Sequence, residues 1–150
     1  YIGIEKMKSV IVSALDRVLE ADVANVKLLN MDARDLAGVF AEGEVDRIFL
    51  NFSDPWPKAR HEKRRLTYRR FLALYENILK PGGEIHLKTD NRDFFEYSVE
   101  SFQAYGLTVK HVNRNVHESG MEGNVMTEYE QKFFAKGKPI FRCEAKFDLA

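Results

Sequence analysis

Asp54, Trp56 and a run of cations from Lys58 to Arg65 follow one another in the stretch VDRIFLNFSDPWPKARHEKRR, Val45 to Arg65. A fixed carboxylate such as Asp54 can stabilise positive charge that develops on a reacting ring, although Asp before Pro is also an ordinary turn initiator. Trp56, the only tryptophan, can wall off an unstacked nucleobase or pack over the helix that follows. The cations suit phosphate groups, while the bland reading of a charge run is a solvated helix face. Ile48-Phe49-Leu50 reads as a buried strand ahead of them, and Pro55 and Pro57 fix φ in the connecting loop. The chain would thus deliver these groups in one shape at the carboxyl end of a strand, where open α/β sheets hold ligands.

Three motifs in order, NFSDPWPK with ARHEKRRL (Asn51 to Leu66), LKPGGEIHLKTDN (Leu79 to Asn91) and TEYEQKF (Thr127 to Phe133), resemble the signature of the bacterial tRNA (guanine-N7)-methyltransferases. The resemblance implies S-adenosylmethionine as cofactor, tRNA as substrate and a guanosine of the tRNA variable loop as methyl acceptor. It also implies a Rossmann-like α/β fold, mostly parallel with an antiparallel last strand between its neighbours, and helices on both faces. That family opens with a strand and a glycine-rich loop for the methionine end of the cofactor, whereas Tyr1-Ile2-Gly3-Ile4-Glu5 matches its second strand. The expectation is therefore a single methyltransferase domain over 1–150, incomplete at its amino end, with a strand slot empty between the strands ending at Glu5 and Phe52.

Residue by residue, Glu5 would accept hydrogen bonds from the cofactor's ribose hydroxyls, or be a solvated acid at a strand end. Asp32 would reach the adenine amino group, with an N-cap for the turn beginning at Ala33 as its structural alternative. Asp54 would line the cofactor side and be central to catalysis. Transfer to guanine N7 uses a lone pair that is free at neutral pH, so the enzyme's task is positioning. A carboxylate can then stabilise the purine as it becomes cationic, and select guanine by accepting from N1–H and the exocyclic amine. Lys58, Asp90, Thr127, Glu128, Tyr129 and Glu130 would meet the substrate, and Arg60, His61, Glu62, Lys63, Arg64 and Arg65 the RNA. Asp90 is alternatively an N-cap, and Thr127 with Glu130 a capping box.

The elements that must position these groups alternate. Tyr1–Ile4 reads as a strand ending at Glu5, and Lys6 to about Glu20 as an amphipathic helix through Val10, Ile11, Ala14, Leu15, Val18 and Leu19. Strand Val26–Asn30, a turn or short helix over Arg34–Phe40, and strand Val45–Phe52 follow. A helix from Leu66 to Leu79 is stopped by Lys80-Pro81-Gly82-Gly83, and strand Glu84–Thr89 delivers Asp90. Helix Arg92–Tyr105, closed by Gly106, leads to strand Leu107–Val112, a polar loop over Arg114–Met126, a short helix over Thr127–Lys136 and a last strand over Ile140–Phe147. Alternating strands and helices argue for a parallel sheet.

Lys plus Arg and Asp plus Glu each number 23, so net charge does not speak for nucleic acid. Distribution does: Lys58 to Arg70 holds seven basic residues against Glu62 alone. One cysteine, Cys143, excludes an internal disulfide and suits a reducing compartment; it reads as a packing residue. His61, His86, His111 and His117 lack ligand spacing, so no metal is expected. No apolar run has membrane-spanning length and no signal peptide opens the chain, so a cytoplasmic monomer or homodimer is expected. The rival readings are a non-catalytic RNA-binding remnant of the fold and a methyltransferase acting on small molecules or proteins.

Overall fold

The computed structural model describes residues 1–22, 24–116 and 138–148. These fall into two compact units, Tyr1–Val39 and Phe40–Ala150, and the described strands form two sheets where the sequence predicts one.

In the first unit, β1 (Ile2–Glu5) pairs in parallel with β2 (Lys27–Asn30), connected by α1 (Lys8–Ala21). The helix ends where Asp22 enters the left-handed region and its N–H bonds Leu19 C=O, which closes the last turn. A Cβ on Gly3 would stand 2.8 Å from a Leu28 methyl, which would have to turn aside. The apolar residues Val10, Leu15 and Leu19 of α1 remain exposed. After β2, a 3₁₀ turn over Ala33–Gly38 buries Leu36.

The second unit holds every other buried apolar side chain among the described residues. Its sheet has the order β3 (Val45–Asn51), β4 (Leu79–Thr89), β6 (Phe141–Lys146), β5 (Thr108–Asn113). β3 and β4 are parallel, and β6 runs antiparallel between β4 and β5, as the resemblance implied. Cross-strand partners share a face. Ile48 with Ile85 and Ala145, and Leu50 with Leu87 and Cys143, make the apolar face. Phe95 of α3 (Arg92–Tyr105) meets Phe141 there at 5.3 Å between ring centroids. α2 (Arg69–Ile78) buries Phe71, Leu72, Tyr75 and Ile78. Burial pushes the Cys143 thiol up to about 12, which makes it an inert packing residue.

Two boundaries differ from the sequence reading by more than two residues. α2 starts at Arg69 rather than Leu66, because Leu66 and Thr67 are bonded elsewhere: the Tyr75 hydroxyl donates to Leu66 C=O at 2.8 Å, and Thr67 Oγ1 lies 2.8 Å from Ser98 Oγ. β4 starts at Leu79, so Lys80-Pro81-Gly82-Gly83 is a bulge inside a strand and not a turn before one. Val45 pairs with Leu79 and Arg47 already with Glu84, leaving the extra residues on β4 to loop out. Gly82 takes φ 73° in that bulge. A Cβ on Gly83 would stand 2.8 Å from Lys80 O and 2.9 Å from Leu79 Cβ. Gly83→Ala is therefore expected to destabilise the second unit by about 1–3 kcal/mol, read as a lower denaturant midpoint at constant m-value.

Candidate active site

β3 ends at Asn51, and the loop that leaves it carries Asp54. The main chain here is unusual: Phe52 has φ 54° and Trp56 φ 44°, left-handed values that are outliers for bulky residues. Phe52 N–H donates to Lys88 C=O at 2.8 Å, which ties the start of the loop to β4. Arg65 Nε–H donates to Trp56 C=O at 3.1 Å, which ties its end. Between these anchors the Asp54 side chain is exposed. Next to it the Ser53 hydroxyl is buried and has no hydrogen-bond partner, an orphan that in native proteins calls for a polar group to satisfy it. The sequence reading passed over Ser53, because nothing in a serine's position along the chain signals burial.

Trp56 packs on the 3₁₀ helix that follows, Ala59–Arg64. The Arg64 guanidinium lies 5.0 Å from its ring centroid and the His61 ring 5.5 Å, edge-on. The basic run is thus a helical turn, and it divides by direction. Lys58, Arg60, Lys63 and Arg64 are exposed, His61 and Glu62 half-buried, and the half-buried Arg65 turns inward with its guanidinium 4.4 Å from the Tyr97 ring centroid.

Asp90 sits half-buried at the end of β4. It is not the cap of α3: that duty falls to Asn91, whose side chain accepts from Phe94 N–H at 2.8 Å. Asp and Asn rank equally as caps, so adjacent candidates are not separable by type, and the register of the first turn decides. Thr127, Glu128, Tyr129 and Glu130, with the loop and helix expected over Arg114–Lys136, lie outside the described residues apart from Arg114, Asn115 and Val116.

In the first unit, Glu5 ends β1 and its Oε1 accepts from Met7 N–H at 2.9 Å. Asp32 is the N-cap that its alternative reading expected, accepting from Arg34 N–H at 2.9 Å, with Arg34 Nη2 at 3.1 Å and Lys6 Nζ at 3.4 Å on the other oxygen. Burial alone would raise its pKa, yet the bonds from Arg34 and Lys6 outweigh it and hold the carboxyl below its ordinary value.

A further ionic cluster forms on the other face of the four-stranded sheet, where Glu84, His86 and Glu144 bring one ligand atom each within 4.8 Å of one another. His86 alone lacks ligand spacing; strand pairing creates the group, since His86 is opposite Glu144. Lys110 already pairs with Glu84 at 3.1 Å and Arg142 with Glu144 at 2.8 Å. Arg142 Nη2 also lies 3.3 Å from His86 Nδ1. A guanidinium can only donate, so Nδ1 accepts and Nε2–H is given to Glu84 at 3.0 Å. With both carboxylates held by side-chain cations, the cluster is a sheet network. The His86 bond, aided by Lys110, holds the Glu84 carboxyl down to about 2 from 4.5. A depressed acid stabilises the fold above its unfolded pKa, and that contribution fades as pH falls through the folded value. Acid unfolding between about pH 4.5 and 2 should therefore be shallower in Glu84→Gln, which forgoes on the order of 2 kcal/mol at neutral pH; unfolding midpoints against pH measure it.

Residues 1–143 match the family model described as "Putative methyltransferase". The chain belongs to this methyltransferase family. Within it, the chain is 63% identical over 147 residues to the tRNA (guanine-N(7)-)-methyltransferase of Geobacillus sp. (strain WCH70), covering 98% of this chain and 67% of that protein. It is 61% identical over 147 residues to the protein of that name from Bacillus licheniformis, covering 98% and 69%. Among solved structures it is similar to a SAM dependent methyltransferase from Aquifex aeolicus, with a TM-score of 0.63 at 15% identity, covering 97% of this chain and 67% of that one. That likeness places the methyltransferase chain in the Rossmann-like α/β fold expected from its sequence. Among the described residues no helix is long and apolar enough to cross a membrane.

Proposed function

We infer that this methyltransferase transfers the methyl group of S-adenosylmethionine to N7 of a guanosine in tRNA, the variable-loop guanosine by resemblance. The observation that carries this reading is the loop after β3: a carboxylate held exposed between two left-handed residues, anchored at both ends, and followed at once by an exposed cationic turn. The names of relatives more than 60% identical supply the acceptor atom and the substrate.

In the second unit the buried Ser53 hydroxyl beside Asp54, without a hydrogen-bond partner, fits a polar ligand; in the first unit β1 ends in an acid, Glu5. S-adenosylmethionine, when bound, supplies an electrophilic methyl group on a cationic sulfur. Glu5 would hold the ribose hydroxyls and Asp32 the adenine amino group. Asp54 would orient guanine through N1–H and the exocyclic amine and stabilise the positive charge that the purine acquires. No proton has to leave N7 before it reacts, so the chain's contribution is position and charge. Lys58 and Asp90 would contact the substrate, with Asp90 released from capping by Asn91. The exposed Arg60, Lys63 and Arg64, flanked by His61 and Glu62, would face the RNA, because cations on one turn neutralise neighbouring phosphates. Thr127 to Glu130 complete the proposed substrate contacts.

Incubation of the protein with labelled S-adenosylmethionine and unmodified tRNA tests this directly. Label recovered as 7-methylguanosine is the expected result. Tight, salt-sensitive tRNA binding with no methyl transfer would instead favour the RNA-binding module.

A further inference from the structure

Left-handed backbone at a bulky residue costs about 1–3 kcal/mol and persists only where the surroundings over-determine it. Phe52 and Trp56, on either side of Asp54, both have such values. What holds Phe52 is main chain, its N–H on Lys88 C=O at the end of β4. What holds Trp56 is a side chain, the Arg65 Nε–H on its carbonyl at 3.1 Å.

Arg65 is in turn built into the scaffold. Its guanidinium carbon lies 4.4 Å from the ring centroid of Tyr97 on α3. Burial, followed by the charge of the nearby Glu62, pushes the Tyr97 hydroxyl up to about 12. The residues just after Arg65 are bolted down as well. Leu66 C=O accepts from Tyr75, Thr67 is fully buried against Ser98, and Ser101 Oγ donates to Thr67 C=O at 2.5 Å. A line of contacts therefore runs from α3 through Arg65 to the carbonyl that sets the conformation after Asp54. Within the basic run Arg65 differs from Arg60, Lys63 and Arg64, which are exposed, by pointing its donor at protein main chain.

We propose that Arg65 is a positioning residue for Asp54 and not a phosphate contact. Its planar guanidinium offers an Nε–H to Trp56 C=O and a flat face to Tyr97 together, a combination that lysine, a point charge on a flexible stem, does not reproduce. Losing this clamp lets the Trp56 end of the loop relax out of the left-handed region and moves the Asp54 carboxylate. A displacement on the order of 1 Å at a reacting centre costs up to about 10²-fold in rate.

The test compares the protein with Arg65→Lys and Arg65→Ala in three measurements: kcat and KM for tRNA methylation, the salt dependence of tRNA affinity, and acrylamide quenching of Trp56 emission. Positioning predicts that both variants lose about 10- to 100-fold in kcat, keep the tRNA salt slope, and show increased quenching of Trp56. A phosphate contact predicts the opposite pattern: Arg65→Lys close to the parent, and Arg65→Ala with a slope flatter by about 0.7–0.9 at unchanged kcat. That result would overturn the proposal, as would unchanged kcat and quenching in both variants. If Arg65→Ala does not fold, judged by its unfolding transition, Arg65→Lys decides on the same readouts. The kinetic arm rests on the proposed methyl transfer, but the fluorescence arm does not. Should the parent protein transfer no methyl group, Trp56 quenching still decides whether Arg65 holds the loop.

Discussion

Asp54→Ala is expected to lower kcat for tRNA methylation by about 10²–10³-fold while leaving tRNA affinity and the unfolding midpoint close to those of the parent. The magnitude is that of removing one preorganised electrostatic group from a site where charge develops. Stability should hold because Asp54 is exposed, and the loop is anchored through Phe52 and Trp56 rather than through the carboxylate. Asp54→Asn separates the two duties assigned to this side chain. The amide retains one acceptor oxygen for the guanine N–H groups but no negative charge, so its kcat should fall nearly as far as that of Ala if charge stabilisation dominates. It should recover most of the rate if hydrogen bonding to the base dominates. Single-turnover rates with excess enzyme, together with filter-binding affinities, distinguish a loss in the chemical step from a loss in binding.

Neutralising Arg60, Lys63 and Arg64 together should weaken tRNA binding on the order of 10²-fold near physiological salt and flatten the slope of log affinity against log salt by about 2 to 3. The three are exposed on one 3₁₀ turn directly after the Asp54 loop, so their combined field acts where the reactive base must arrive. Arg64 also lies 5.0 Å from the Trp56 ring centroid, and a surplus loss from Arg64→Ala alone, beyond one phosphate contact, would measure that packing role. Single-strand RNA of similar length should lose affinity by a comparable factor, because phosphate contacts carry no sequence information. An unchanged salt slope in the triple variant would show that the turn is a solvated face and move the RNA surface elsewhere.

Much of the framework could be read from residue order. Apart from the start of β4, apolar periodicity located the described strands and α-helices to within three residues, since alternation and 3.6-residue spacing are local properties of the chain. Gly106 marked the end of α3 because only glycine adopts φ 107° at little cost. The placement of Asp54 just past the carboxyl end of a strand followed from the apolar run before it and the prolines after it, although that strand is not the buried one expected: of Ile48-Phe49-Leu50 only Leu50 is buried and Phe49 is exposed. The family was legible because three motifs stand in one order. What the tertiary structure decided is which of two chemically equivalent side chains performs a task. Asn91 rather than Asp90 caps α3. Arg65 rather than Arg64 turns inward, because Tyr97 and the Trp56 carbonyl lie on its side. Lys80 to Gly83 bulge within β4 instead of turning before it, since pairing with β3 resumes only at Glu84. The Glu84–His86–Glu144 cluster and the orphaned Ser53 hydroxyl exist only once distant strands and loops are packed. Local rules act over a few residues, whereas burial, cross-strand register and the direction of a long cation are set by contacts between segments far apart in the chain.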